Sequence, residues 1–531
     1  MLVTLLITIN SFFFIYFLIE LIKHQHLLAL HNYFIIAVIG IIYLIPLIIE
    51  FDPTRRSGMS IFTILIILAA LIEYSLNISS GLIEVGEQVP DATLYLIKGH
   101  WEASLKNPYY DIINVASFWI AILHKIMGVS NTVYALPNLI LYVINALLIY
   151  LSIFIAFKMV KAIDALKYVP AIIFLTPYIT LITVPPALSA AYALIFLAVL
   201  MTRFFEGLTL RWEDYLLFFL LAMAGVLTHA TFAAMTIFAL LLLELVRGFI
   251  HVLIHNDVFK TRIMYSIALL LLTYISLTLI RFFYTTAYVS LYPYYADFLR
   301  FLNFLSGTGE TIVRLTRYEE ASPLITAYSW TLLPSFATAY VIYYLLRIRK
   351  LRVSRVEMLS LSLITAGLLL IVLGFIGSMF SNSFSREAGY PGYMLLLLGS
   401  FEPLKKINAN KYSRVVLLIL LVMGLISGAF TIKNASQFYI GKVPFLSYSV
   451  PTPSEVSLVR TLVKMNIIEP SINIYTYSSF DPGLFSVLYT EIKQSTPIFT
   501  RIHSEPINNL EQLLFHAHSI VLNSNSLVIS I

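Results

Sequence analysis

The sequence predicts an all-α polytopic membrane protein of about 13 transmembrane helices, followed by a small α/β domain outside the membrane. Hydrophobic residues make up 59% of the chain and charged residues 12%, whereas a soluble domain carries about 25% charged residues. Apolar runs of about 20 residues, long enough to cross a bilayer core, recur along most of the chain. These two observations together favour a bundle of membrane helices.

The apolar runs define the predicted spans. One of them, 391–404, is too short for a straight crossing and is expected to be tilted or broken. Two pairs of spans are joined by very short turns, at 184–186 and at 228–229. In chain order, the predicted spans are 2–22, 33–50, 60–79, 136–157, 168–184, 187–204, 214–228, 230–246, 263–282, 328–346, 358–378, 391–404 and 415–432.

The distribution of Lys and Arg predicts the orientation of the chain. Basic residues cluster in short loops such as 405–414 and "RIRKLRVSR" at 347–355, which places these loops and the N-terminus in the cytoplasm. A transmembrane domain, 1–432, then carries two long outer loops at 80–135 and 281–327, and the tail 433–531 lies outside the cell membrane. We attribute the net charge of +6 to this topology and expect no nucleic-acid partner.

The tail, 433–531, is predicted to fold as a separate extracytoplasmic α/β domain. Thr452-Pro453-Ser454-Glu455 has the pattern of a capping box, with proline at the first helical position. Strand-like and helical segments alternate after it, which favours a mainly parallel sheet. The predicted strands are 471–477, 497–502 and 519–524, and the predicted helices begin at 453, 481 and 508.

The first long outer loop contains a cluster of acids. Glu84, Glu87 and Asp91 are spaced by three and four residues, so in a helix their carboxylates would share one face. Such clustering costs electrostatic energy unless a positive group binds nearby. Tyr95 follows Asp91 by one helical turn, and the aromatic run 118–130, "FWIAILHKIMGVS", is predicted to be a short interfacial or re-entrant helix.

These motifs resemble the GT-C superfamily of membrane glycosyltransferases. The likeness rests on Asp91 soon after a span, on "NPYY" and "HKIMG" in the same loop, and on "GVLTHATF" (225–232), "REAGYPGY" (386–393) and "PTPSEVSLVRTLV" (451–463). The branch that it resembles contains the protein O-mannosyltransferases and aminoarabinose transferases. The richness of the chain in Ile, Tyr and Lys favours an archaeal or bacterial source. This chain has three predicted spans before the acidic loop, whereas the commonest layout of the family has one. The absence of a "WWD" motif argues against the oligosaccharyltransferase branch.

The resemblance implies transfer of a sugar from a polyprenyl (dolichyl) phosphate to a glycan, lipid or protein acceptor on the outer face. Asp91 matches the position of the general base in this family. Glu87 and Glu84 would adjust the electrostatic potential at its carboxylate. Arginine suits the donor phosphate because its guanidinium binds bidentately. The residues expected to bind substrate are Arg386, Arg281, Tyr95, Trp101, Tyr109, His229 and Tyr390. No metal ligands are assigned and no cofactor is identified, and the use of a divalent metal stays open.

Each residue also has a purely structural interpretation. Asp91 could cap a helix, the aromatics could form an interfacial belt, and Arg281 could reach the interface along its aliphatic stem. His229 could be a polar packing residue, and Arg386 a plain loop cation. For the whole chain the alternatives are a transporter or flippase of lipid-linked glycans, a polymerase or ligase of such glycans, and a non-catalytic scaffold.

The predicted topology can be tested with protease. Added to right-side-out membrane vesicles, protease is expected to remove the tail beyond residue 433 and to leave the loop 347–355 intact, because only the tail faces outward. Antibodies against epitope tags in the two segments measure both outcomes. Vesicles opened with detergent provide the control, in which both segments are cut. A tail that resists protease in intact vesicles would overturn the orientation.

Overall fold

The computed structural model is mostly α-helical over the residues that it describes. These are 92–99, 115–128, 135–174, 211–228, 230–255, 323–346, 353–378, 382–422, 453–465, 473–476, 502–503 and 526–529, with a few isolated positions between them. The helical character predicted from composition is therefore confirmed for this part of the chain.

Ten α-helices have defined bounds among the described residues. Along the chain they are α1 (Val115–Met127), α2 (Ala135–Met159), α3 (Val169–Phe174), α4 (Trp212–Thr228), α5 (Ala230–His255), α6 (Pro323–Leu345), α7 (Arg355–Ser378), α8 (Asn382–Gly399), α9 (Phe401–Asn408) and α10 (Pro453–Lys464). A 3₁₀ segment, Ile163–Tyr168, precedes α3, and residues 411–422 are also helical.

Several of these helices coincide with predicted spans. The bounds of α2, α4, α6 and α7 lie within a few residues of 136–157, 214–228, 328–346 and 358–378. One residue separates α4 from α5, as the short turn at 228–229 predicts. Within the described residues, one helix, Arg355–Gly377, combines the length and the hydropathy needed to cross a membrane, by length and composition alone.

The predicted span 391–404 differs from the structure. Its first part belongs to α8, which begins earlier, at Asn382, and ends at Gly399. Ser400 then separates α8 from α9, with its hydroxyl donating to the carbonyl of Leu397 at 2.7 Å. The expectation that this segment is broken is correct, but its bounds were wrong. The loop interpretation of Arg386 was also wrong, because Arg386 lies on α8.

Reciprocal capping begins α7. The backbone N–H of Ser354 donates to the Glu357 carboxylate at 2.9 Å, and the N–H of Glu357 donates to the Ser354 hydroxyl at 3.2 Å. This S-x-x-E arrangement satisfies N–H groups that a helix start otherwise leaves without partners. The cap therefore fixes the start of a long apolar helix at Arg355.

Glycines allow α7 and α8 to pack very closely. A Cβ atom added at Gly367 would lie 2.7 Å from the carbonyl oxygen of Gly392, and one at Gly392 would lie 2.9 Å from that of Gly367. One added at Gly399 would lie 2.9 Å from the Leu363 side chain. Ser360 also donates to the carbonyl of Gly399 at 2.6 Å. Small residues and a buried hydroxyl therefore bring the two backbones together, as at interfaces between membrane helices.

The core continues from this helix pair to the α2–α3 region. Phe401 of α9 lies edge-on to Phe157 of α2, with ring centroids 6.3 Å apart, and both side chains are fully buried. The Tyr168 hydroxyl donates to the side-chain carbonyl of Asn408 at 3.1 Å. Together, these contacts join α9 to α2 and to the 3₁₀ segment.

The tail contains a three-stranded parallel sheet. The strands are β1 (Asn473–Thr476), β2 (Ile502–His503) and β3 (Ser526–Ile529), in the order β2-β1-β3, and β1 pairs in parallel with both neighbours. The first strand falls inside the predicted segment 471–477. The third lies beyond the predicted segment 519–524, which is outside the described residues. The separate α/β domain stays a prediction.

Adding one methyl group at Gly392 is expected to separate α7 from α8. Gly392→Ala would place its Cβ against the Gly367 carbonyl and the Ile371 side chain, each at 2.9 Å. Overpacking of this kind costs about 1–3 kcal/mol, so the melting temperature of the purified protein should fall clearly. Val252→Ile, which adds one carbon at an exposed position of α5, is the control and should melt like the wild type. Equal melting of both variants would contradict the close contact.

Candidate functional site

The structure describes part of the predicted site. Tyr95 lies in a helical segment that follows the acidic cluster, and Arg386 and Tyr390 lie on α8. The remaining predicted site residues fall outside the described residues: Asp91, Glu87, Glu84, Arg281, Trp101, Tyr109 and His229. Their assignment to a site therefore remains a prediction.

The segment that follows Asp91 is a short anchored helix. Residues 92–98 are helical, and Ala92, Thr93 and Leu94 are buried. The helix ends at Gly99, whose φ is +72° and whose N–H donates to the Tyr95 carbonyl at 2.8 Å. Glycine suits this position because its left-handed conformation is costly for other residues. Asp91 is thus joined directly to a segment that is fixed by burial.

An aromatic contact connects this helix to α1. The rings of Tyr95 and Phe118 meet edge to face, with centroids 5.7 Å apart and an interplanar angle of 76°. Such pairs stabilise packing by about 0.5–1.5 kcal/mol beyond the area they bury. The predicted site residue Tyr95 is therefore half-buried and engaged in packing, so its ring serves to fix the segment after Asp91.

The helix α1 is too short to cross a bilayer in a straight path. Its 13 residues extend about 20 Å, against about 30 Å for a hydrocarbon core. His124 and Lys125 lie in its last turn, where positive charge interacts favourably with the helix dipole. Gly128, with φ +63°, follows its end. The prediction of a short helix in 118–130 is confirmed, and its interfacial or re-entrant position stays a prediction.

A second polar group, which we name the Lys406 cluster, consists of Tyr344, Glu357, Glu402 and Lys406. The Lys406 ammonium donates to Glu357 Oε1 at 2.5 Å and also to the Tyr344 hydroxyl. The Tyr344 hydroxyl in turn donates to the same Glu357 oxygen at 2.6 Å. Glu402 Oε1 lies 3.8 Å from Lys406 Nζ. The cluster therefore joins α6, α7 and α9 at one end of the bundle.

The cluster is shielded from solvent and fully engaged. Tyr344 is 1% exposed, and the side chains of Glu357 and Lys406 are 19% and 31% exposed. The ammonium also lies 4.8 Å from the centroid of the Tyr344 ring, within the range of a cation–π interaction. Since each charge has a partner, breaking one contact would leave a poorly solvated charge behind.

Sequence reasoning missed this cluster. It interpreted 347–355 as a topology signal and Lys406 as a cytoplasmic loop cation. One available signal was the S-x-x-E pattern at 354–357, the same pattern that predicts the start of α10 in the tail. That pattern identifies Glu357 as a capping residue, but it gives no indication that Lys406, 49 residues later, lies against the same carboxylate.

The two regions differ in what they can do chemically. The Lys406 cluster is an internally satisfied set of charges, so it holds helices together. The segment 92–98 is a short helix fixed by the burial of Ala92, Thr93 and Leu94. The described residues contain no group of three His, Asp or Glu side chains able to hold a metal ion.

No protein-family model matches the chain, and no curated protein is significantly similar to it. The likeness to the GT-C superfamily therefore rests on the short motifs of the sequence alone.

Removing one member of the Lys406 cluster is expected to destabilise the protein. Lys406→Met should cost more than Glu357→Gln, because it leaves Glu357 and Glu402 near each other without a cation. Hydrogen bonds to charged groups contribute about 1.5–3 kcal/mol, so both variants should unfold at clearly lower temperature or denaturant concentration.

The control and the double variant make this test specific. Lys411→Met removes a nearby lysine that is exposed and lies outside the cluster, and it should leave the unfolding transition unchanged. The double variant Glu357→Gln/Lys406→Met should lose less than the sum of the two single losses, because the two residues interact. Strict additivity would refute the coupling between them.

Proposed function

We propose that this chain is an integral-membrane glycosyltransferase of the GT-C type. It would have about 13 spans and an extracytoplasmic α/β domain at 433–531. It would transfer a hexosyl or pentosyl group from a polyprenyl-phosphate donor to an acceptor on the outer face. The helices that match predicted spans, and the tight α7–α8 contact through glycines, support a membrane bundle.

The observation that carries the proposal is the anchored helix after Asp91. Because Ala92, Thr93 and Leu94 are buried and Tyr95 packs on Phe118, the acid is attached to a fixed support. A general base must be held within hydrogen-bonding reach of the proton that it removes. An acid whose only role was to keep a loop in contact with water would not need a fixed position.

The helix α8 supplies the second support. Arg386 is the fifth residue of α8, close to the end at which backbone N–H groups and the helix dipole favour an anion. A phosphate bound there would interact with the helix start and with a guanidinium able to bind it bidentately. The glycine contacts with α7 hold this helix in place.

The proposed reaction follows from these positions. Asp91 accepts the proton of the acceptor hydroxyl while the hydroxyl oxygen forms a bond to the anomeric carbon of the donor sugar. The bond between that carbon and the phosphate oxygen breaks, and its electron pair leaves with the polyprenyl phosphate. Arg386 stabilises the negative charge on that leaving group, and Glu87 and Glu84 tune the field at Asp91.

A transporter or flippase of lipid-linked glycans is the second candidate. One observation favours it: the predicted span 391–404 contains Pro391 and is interrupted at Ser400, and broken helices often line transport sites. A polymerase or ligase of lipid-linked glycans would share the enzyme layout. Against transport, α6 carries no charged residue, and those of α2 and α7 lie in the first or last turn, whereas transporters place such groups near the midplane.

The enzyme proposal is tested by Asp91→Asn. This substitution keeps the size of the side chain but removes its ability to accept a proton, so transfer from a synthetic polyprenyl-phosphate sugar should slow by about 100-fold or more. Donor-lipid binding should persist in this variant and weaken in Arg386→Ala. The control, Arg56→Ala, alters a residue predicted on the cytoplasmic side. Wild-type transfer by Asp91→Asn would remove Asp91 from the site.

A further inference from the structure

An apolar groove of about 410 Å³ runs along α5, α6 and α7. Buried Val246 and Leu361 contribute to its floor, and exposed Leu245, Phe249 and Leu345 to its rims. On α7 the lining residues Leu361, Thr365 and Leu369 recur every fourth position, so the groove extends for about 12 Å along that helix.

The lining of the groove restricts what can occupy it. Among its lining residues Thr365 alone has a polar side chain, and a threonine hydroxyl on a helix can donate to the carbonyl one turn earlier. A sugar, a peptide or a phosphate placed in the groove would lose its hydrogen bonds to water without gaining others. A hydrocarbon chain loses none, so the chemistry of the groove selects an alkyl or acyl chain.

The chain is rich in basic residues between the end of α6, which lines the groove, and the start of α7. The row of α7 residues that line it continues one turn earlier to Glu357, which is already held by Lys406. Arg355, the first residue of α7, is exposed. Four further cations, Arg347, Arg349, Lys350 and Arg352, separate Leu345 from Arg355 in the sequence. An arginine at a helix start opposes the helix dipole, so an anion beside Arg355 would be stabilising.

We propose that this groove binds the acyl chain of an anionic phospholipid, with its headgroup beside Arg355. The inference uses the membrane location of the proposed function but not its reaction. The site is separate from the proposed donor site: Arg386 precedes Gly399 by about 20 Å along α8, and Gly399 contacts Leu363 and Ile364, next to the groove residues of α7. A polybasic segment near a membrane favours acidic headgroups.

Lipid retention tests the proposal. The full-length protein is placed in nanodiscs with equal amounts of phosphatidylglycerol and phosphatidylcholine, extracted in mild detergent, and its retained lipids are counted by mass spectrometry. The wild type should retain phosphatidylglycerol over phosphatidylcholine by about fivefold. Thr365→Trp, which fills the groove, should lose this excess, and Arg355→Gln should bring the ratio towards one.

The matched control is Leu220→Trp, which adds the same ring on an exposed face of α4 and should retain lipid like the wild type. Equal retention of the two lipids by the wild type, or equal retention by both Trp variants, overturns the proposal. Loss of sugar transfer in Asp91→Asn with unchanged lipid retention would separate this inference from the proposed function.

A second measurement tests the groove even if Thr365→Trp does not fold. The chain has no cysteine, so Thr365→Cys and Leu220→Cys each carry a single site for a bimane label. Brominated phosphatidylglycerol should quench the label at 365 more strongly than brominated phosphatidylcholine does, and the two lipids should quench the label at 220 equally. Equal quenching at 365 would exclude a selective groove.

Discussion

The close contact between α7 and α8 is the constraint on which the described bundle depends. Two backbones approach until Gly367 and Gly392 each face the carbonyl of the other, and no larger residue fits between them. Close approach maximises dispersion contacts over the whole length of the pair, which is the main attraction between apolar helices in a hydrocarbon solvent. The positions of Arg386 at one end of α8 and of α9 at the other follow from this contact.

Polar groups at the α9 end add directional bonds to the close packing that the glycines allow. Apolar packing fixes how near two helices lie, but it permits sliding and rotation at small cost. Directional bonds remove that freedom: Ser360 donates to Gly399, and Lys406 bonds to Glu357 and Tyr344 on two other helices. A buried charge network of this kind contributes more to specifying one arrangement than to net stability.

The sequence predicted what depends on local pattern. Apolar length located α2, α4, α6 and α7 within a few residues, and the run "FWIAILHKIMGVS" located α1. The break at Ser400 was expected because 391–404 is short, but its place was not predicted, since Arg386 and Glu387 made the first turns of α8 resemble a loop. Charged residues in the first turns of a helix lower its mean hydropathy, so a hydropathy scan misses the helix start.

Contacts between distant segments were beyond sequence reasoning for a different reason. Glu357 has a readable local role as a capping residue, whereas its pairing with Lys406 depends on where α9 turns after Ser400. Likewise the sequence shows one glycine on each of two helices, Gly367 and Gly392, but it does not show that the two glycines face one another. A single sequence shows which face of a helix is apolar and where the helix begins and ends. Which faces of two helices pack together is known only from the three-dimensional structure.

The two ends of the α7–α8 pair carry different side chains. At the α9 end, Lys406 bonds to the Glu357 carboxylate at 2.5 Å and lies 3.8 Å from that of Glu402, so the charged groups there interact with one another. At the opposite end Arg386 lies near the start of α8, about 20 Å along the helix from Gly399. The same separation explains how one pair of helices could serve a structural lipid at one end and a phosphate-bearing substrate at the other.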